Sequence, residues 1–251
     1  MTGSATTPKY VYGVVQANGH TQSMGRGIDG KPLRVITADG IGALTSDLPS
    51  EDLEAGREEL MMHSRVLERA LERGVVLPMR FGVVMPDDDT VRTALLDAHR
   101  DALEAQLEEM SGKVEMNIKA IYDEAEVLRE LLAENPDIAA MQTALQGRPE
   151  DATYYERIDL GERIVAALEV KRGSDEQAIV DRLAAHAVAV DVGQPMHERM
   201  AVNASFLVEQ NQLAAFDAEL EETAAANHGR LRFKATGPLP PHSFVELELE
   251  A

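Results

Sequence analysis

The chain has 251 residues, 44% hydrophobic and 27% charged, with neither cysteine nor tryptophan. Forty-four acidic against 24 basic side chains give a formal net charge of -20, which repels a phosphate backbone or an anionic bilayer. The missing cysteines exclude disulfides, thiolate metal sites and thiol nucleophiles.

In chain order, residues 10–16, 33–38 and 41–46 read as short strands, rich in β-branched residues and alternating in polarity. The last two are joined by Asp39-Gly40, a tight-hairpin signal. Between the first two lies GRGIDGKP (25–32), which fits both G-x-G-x-x-G and G-x-x-x-x-G-K. A phosphate cradle needs a strand running into the glycines and a helix starting directly after them. Here the preceding segment is polar, the following one reads as a strand, and Pro32 stands where the magnesium-binding hydroxyl belongs. The stretch reads as a mobile glycine-rich hairpin loop.

Ser50 is expected to cap a helix to about Arg73, with Leu53, Leu60, Ser64, Leu67 and Leu71 on one face. Residues 75–85 read as extended, Pro78 confining them to an edge or a bulge. Asp87-Asp88-Asp89 offers a cap for a helix to about Met110, with Leu96, Leu103, Leu107 and Met110 in register.

Gly112 opens a second unit. Val114, Met116, Ile118 and Ala120 alternate with Glu115, Asn117 and Lys119, the pattern of a strand with one wet face. Helices are expected over 123–134, 137–146 and 154–172, and Ser174 with Gln177 forms a capping box that starts another toward His186. Strands over 188–192 and 200–209, a helix capped by Asn211, and strands over 230–235 and 244–249 complete the chain. The order β, helices, β, β, α, β is ferredoxin-like, with a helical excursion in its first crossover. The prediction is an α+β protein of two domains, 1–110 and 111–251, with the helical insertion at about 122–186.

Little points to catalysis. Glu59 with His63, Asp97 with Asp101 and Glu104 with Glu108 share helix faces at i,i+4 spacing. Among 44 carboxylates such pairs arise by chance and read as solvated faces, while His63 lies next to the apolar stripe and reads as a packed or interface histidine. There is no H-E-x-x-H or G-x-S-x-G motif, and no catalytic, cofactor or metal site is expected. Two stretches exceed the needs of a scaffold: LPMRFG (77–82), with a lone arginine among apolar residues, and the proline-rich GPLPPHSF (237–244). His63, Pro78, Arg80, Phe81 and Phe244 are the expected partner-binding residues. The N-terminal MTGSATTPKY shows no signal pattern and no run approaches the roughly 18 apolar residues of a membrane span, so a cytoplasmic protein without nucleic-acid or membrane partners is expected.

Nearly the whole chain resembles the gas vesicle protein F/L family, accessory proteins of gas vesicle formation. The resemblance rests on Tyr10-Val11-Tyr12-Gly13, Ala38-Asp39-Gly40-Ile41, His63 with Val66-Leu67, and the run from Val76 to Gly82. It continues through Gly112-Lys113-Val114-Glu115, Asn203 with Phe206-Leu207-Val208, and Gly237-Pro238 to Phe244. Leu239 and His242 depart from the family, which typically has Trp and Tyr there. The resemblance implies a ferredoxin-like N-terminal domain and a C-terminal domain with a coiled-coil-like helical feature. It also implies no enzymatic activity and a role in assembly. The expected partners are the hydrophobic major shell protein, kept soluble or delivered to the growing wall, and other accessory proteins. The alternative implied role is a minor structural component or nucleator retained in the shell.

Overall fold

Seven consecutive buried residues make β1 (Lys9–Gln16) a strand enclosed on both faces. In a computed structural model describing residues 7–17, 25–49 and 56–246, β1 lies inside the first sheet. It pairs antiparallel with β3 (Ile41–Asp47), Val15 opposite Gly42 and Tyr10 opposite Ser46. On its other side it pairs antiparallel with β4 (Val76–Pro78) and β5 (Val84–Met85). β2 (Leu33–Ala38) closes the far edge through the hairpin at Asp39-Gly40, where Asp39 has φ 37° and Gly40 φ 96°, the backbone a tight hairpin demands. The order β2-β3-β1-β4 is that of a ferredoxin-like sheet. Pro78 sits on an edge strand, where its missing N–H breaks no ladder.

α1 (Arg57–Leu71) packs on this sheet through His63, Val66, Leu67 and Ala70. The expected face is rotated: Leu60 is 51% exposed. Ser50 and Leu53, the expected cap and first apolar contact, fall outside the described residues. The single helix expected over 87–110 is divided into α2 (Asp88–Thr90), a π-helical segment (Val91–Asp97) and α3 (Arg100–Met110). Asp87 does cap it, Oδ1 accepting the Thr90 N–H at 2.8 Å. At a constant α-helical turn Val91 and Leu95 would point roughly 100° away from Leu103, Leu107 and Met110. The wider turn between them lets all five be buried.

The second sheet joins β6 (Lys113–Tyr122), β7 (Ala189–Val192), β8 (Met200–Glu209) and β9 (Leu231–Leu239) in the order β7-β8-β6-β9. This repeats the ferredoxin-like order of the first sheet. Its first crossover carries α4 (Glu124–Glu134), α5 (Pro136–Leu145) and α6 (Tyr154–Ala184), and its second α7 (Leu213–Ala226). Ile118, Ala120, Val202, Ala204, Phe206 and Val208 from the sheet meet Ile179 and Leu183 of α6 and Phe216 and Leu220 of α7 in one core.

Several local expectations differ from the structure. α6 runs unbroken for 31 residues through Gly173 and Ser174. Gln177 turns forward to Asp181 (Nε2 to Oδ1, 2.6 Å) instead of back toward Ser174, so no capping box forms. The N-cap of α7 is Gln212, with Asn211 inside a preceding 3-10 turn (Gln210–Gln212). β9 extends past Ala235 to Leu239. Residues 244–246 are not strand, and 247–249 lie outside the described residues.

The chain forms two compact units: residues up to Glu115 together with those from Gly237, and Met116–Thr236. The second domain was expected to run from 111 to 251, whereas the last segment groups with the first unit. It buries Pro240 and Pro241 and is also held by hydrogen bonds. Ser243 donates its N–H (2.8 Å) and Oγ–H (2.9 Å) to the two carboxylate oxygens of Glu115, and Gln106 Nε2 donates to the Glu246 carbonyl at 2.8 Å. Glu115, expected on a wet strand face, is therefore buried at 2% exposure, as a carboxylate with its hydrogen bonds supplied can be.

Candidate functional site

Alternation along β1 puts Tyr10 and Tyr12 on one face, toward α1. There both rings meet His63: Tyr12 stacks on the imidazole with centroids 5.7 Å apart, and Tyr10 approaches it edge-on at 5.7 Å. Phe81, from the segment after β4, closes the group against Tyr10 at 6.0 Å and His63 at 5.8 Å. Both tyrosines and His63 are buried.

The hydrogen bonds of this cluster form one directed chain. His63 Nε2 faces the Met79 carbonyl at 3.2 Å, which only accepts, so Nε2 carries the proton. Nδ1 is then an acceptor for the Tyr10 hydroxyl at 2.8 Å, and the Tyr10 oxygen accepts the Gly82 N–H at 3.1 Å. Met79 N–H donates to the Tyr12 carbonyl at 2.8 Å. Residues 79–82 are thus clamped at both ends. Burial pulls the His63 pKa down to about 4; nearby His242 adds to this, and the Met79 hydrogen bond opposes it. Burial raises Tyr10 above the ordinary phenol range despite the Gly82 hydrogen bond. Both groups are neutral at pH 7, and the imidazole has a partner on each nitrogen.

Tyr12 organises the glycine-rich loop. Its oxygen accepts the Ile28 N–H at 2.8 Å and meets Ser46 Oγ at 2.9 Å. Within the loop the Gly27, Gly30 and Lys31 amides go to the carbonyls of Lys31, Gly27 and Ile28, and Leu33 N–H goes to Gly25. Arg69 Nη2 adds a bond to the Arg26 carbonyl at 2.8 Å. The amides that would cradle a phosphate are already used, and a 3-10 turn (Ile28–Gly30) stands where a helix would have to begin. The segment expected to be a mobile hairpin is tied down by Tyr12 and Arg69.

Of the five expected contact residues, the structure brings His63 and Phe81 into one cluster and buries Pro78 beside it in β4, opposite Gly13. Arg80 is exposed between the two clamped ends. Phe244 is half-buried on the C-terminal segment, where its N–H bonds to the Pro241 carbonyl at 3.2 Å. Sequence reasoning missed Tyr10 and Tyr12 as the centre of the site. Their i,i+2 spacing in a chain with only five tyrosines was the available signal. Among the described residues no three His, Asp or Glu side chains are grouped to hold a metal, and no helix is long and apolar enough to cross a membrane.

Residues 8–246 match the family model described as "Gas vesicle synthesis protein GvpL/GvpF". The chain belongs to the GvpL/GvpF family. It is 39% identical over 240 residues to gas vesicle protein F of Streptomyces sp. (strain CB03234), covering 94% of this chain and 99% of that one. It is 27% identical over 243 residues to gas vesicle protein F of Dolichospermum flosaquae, covering 96% and 98%. The fold is similar to the crystal structure of GvpF from Anabaena sp. PCC7120, with a TM-score of 0.84 at 26% identity, over 96% of this chain and 99% of that one. It is also similar to that of GvpF from Microcystis aeruginosa, with a TM-score of 0.79 at 27% identity and the same coverage. Membership of the GvpL/GvpF family gives the chain a role in gas vesicle formation and an association with gas vesicle proteins; the family is not a known enzyme family.

Proposed function

We propose that the protein acts in the cytoplasm as an assembly factor that binds the hydrophobic major shell protein and keeps it soluble or delivers it to the growing vesicle wall. The observation that carries this reading is the closed buried cluster: its hydrogen bonds go into holding residues 79–82 rigid, with Arg80 exposed and Phe81 half-buried. A rigid contact loses less entropy on binding than a mobile one. The net charge of -20 keeps a complex with an aggregation-prone partner dispersed. Subunits of a gas-tight wall expose apolar β-surface before they polymerise, and such surface aggregates unless covered. His63 and Pro78 act from beneath as supports, and Arg80, Phe81 and Phe244 make contact.

Mixing purified protein with monomeric shell protein and following light scattering tests this. Suppressed aggregation and co-elution are expected, and both should weaken in an Arg80→Glu, Phe81→Ser variant. Unchanged aggregation without co-elution rejects the reading. Persistence of the protein in vesicles washed with urea would mark it as a retained wall component instead.

A further inference from the structure

α6 carries an apolar stripe that is covered at one end only. Tyr154, Ile158, Gly161, Val165 and Leu168 follow one another at steps of four, three, four and three, the spacing of a coiled-coil seam. Farther along the same helix Ile179 and Leu183 are buried at 4% and 0% exposure against the second sheet. Toward the N-terminal end Tyr154, Ile158 and Val165 are 60%, 42% and 53% exposed. Gly161 is exposed with open space around it, which permits close backbone approach. Ile164 and Leu168 also form one wall of a groove of about 630 Å³ whose other wall is Val127, Leu128 and Leu131 of α4.

The flanking charges select the occupant. Glu162 and Glu169 each directly follow a seam residue and are exposed, and neither enters an ion pair among the described residues. On the other flank Arg157 is engaged with Thr153 Oγ1 at 3.0 Å and the Arg148 carbonyl at 3.3 Å. We propose that the N-terminal half of α6 is a docking seam for a helix of a second protein, apolar on one face and carrying lysine or arginine beside that face. Apolar residues of the incoming helix pack along Tyr154, Ile158, Val165 and Leu168, and its cations reach Glu162 and Glu169. The net charge of -20 opposes a second copy in this place. The seam lies in the second unit and does not depend on the shell-protein reading.

The test uses synthetic helices of about three heptads with a Leu/Ile seam, flanked either by Lys or by Glu, titrated into the full-length protein. The Lys-flanked peptide should bind at least about tenfold tighter than the Glu-flanked one. Ile158→Glu combined with Val165→Glu should abolish binding with unchanged circular dichroism and Tm, since both side chains are exposed. Glu162→Lys with Glu169→Lys should reverse the peptide preference. Equal binding of the two peptides, or full binding by the Ile158→Glu, Val165→Glu variant, overturns the proposal. So does a dimer of the protein alone that this variant dissociates, because a second copy would then fill the seam.

Discussion

The Tyr10 hydroxyl donates to Nδ1 of His63 across 2.8 Å of buried space, joining β1 to α1 and, through the Gly82 N–H, to the segment that presents Arg80. Tyr10→Phe keeps the ring contacts and removes only the oxygen. It leaves a buried imidazole nitrogen without a donor and the Gly82 amide without an acceptor. The buried loss at His63 costs about 1–3 kcal/mol, while the amide of the exposed Gly82 turns to water, so urea unfolding should show a destabilisation of about 1–3 kcal/mol. A change below 0.5 kcal/mol would mean that water replaces the hydroxyl.

Acid should weaken the same cluster. His63 is held neutral, with its pKa lowered from 6.5 to about 4 by burial. The unfolded chain therefore takes up this proton at higher pH than the native one. The contribution is fully present above pH 6.5, declines as pH falls and is lost below about 4. A shift of this size corresponds to about 3 kcal/mol. Unfolding free energies measured from pH 7.5 to 4 should fall by that order, and the His63→Gln variant should lose this part of the slope.

Gly27→Ala should disturb the loop. A Cβ at Gly27 would lie 2.1 Å from the Tyr12 oxygen and 3.0 Å from Leu33 Cδ2. The clash displaces the Tyr12 hydroxyl from Ile28 and Ser46 at a cost of about 1–3 kcal/mol, read as a fall in Tm. In the unsubstituted protein, ATP should leave Tm unchanged. A rise in Tm that Lys31→Ala abolishes would show that the loop binds phosphate despite its engaged amides.

Much of this fold is written in local pattern. The alternation of Val114, Met116, Ile118 and Ala120 specified β6, Asp39-Gly40 specified a hairpin, and the order of elements specified the second sheet. What failed depended on distant residues. Glu115 looks wet until Ser243, 128 positions on, supplies its hydrogen bonds. Ser174 looks like a helix start, yet Asp175 and Lys171 on either side of Gly173 are held by Arg230 and by Glu130 and Glu134, which keeps the helix continuous. His63 was legible as lying beside the apolar stripe of its helix. The role of Tyr10 and Tyr12 goes beyond their place in an expected strand, because it arises where β1 meets α1 and β4.

Arg230 is the most connected cation of the second unit, and its removal should be costly. Its Nε donates to both oxygens of Glu130 at 2.9 and 2.8 Å, its Nη2 pairs with Asp175, and its guanidinium lies 5.8 Å from the Tyr122 ring centre. Tyr122 in turn donates to Asp175 at 2.5 Å. These groups tie the start of β9 to α4, α6 and β6. Burial acts to raise the Glu130 pKa, but hydrogen bonds from Arg230 and Lys171 outweigh it and hold the carboxyl below its ordinary value. Its stabilising contribution is present above the unfolded pKa and lost as pH falls through the folded one. In Arg230→Met, Lys171 remains with Glu130 at 3.0 Å, whereas Asp175 keeps only the Tyr122 hydroxyl among these partners. The expected loss is about 2–3 kcal/mol, below that for a fully buried pair because the arginine side chain is 21% exposed. Adding Asp175→Asn removes the unpaired charge and should restore part of the loss. A double variant less stable than the single one would show that Tyr122, not Arg230, is the main partner of Asp175.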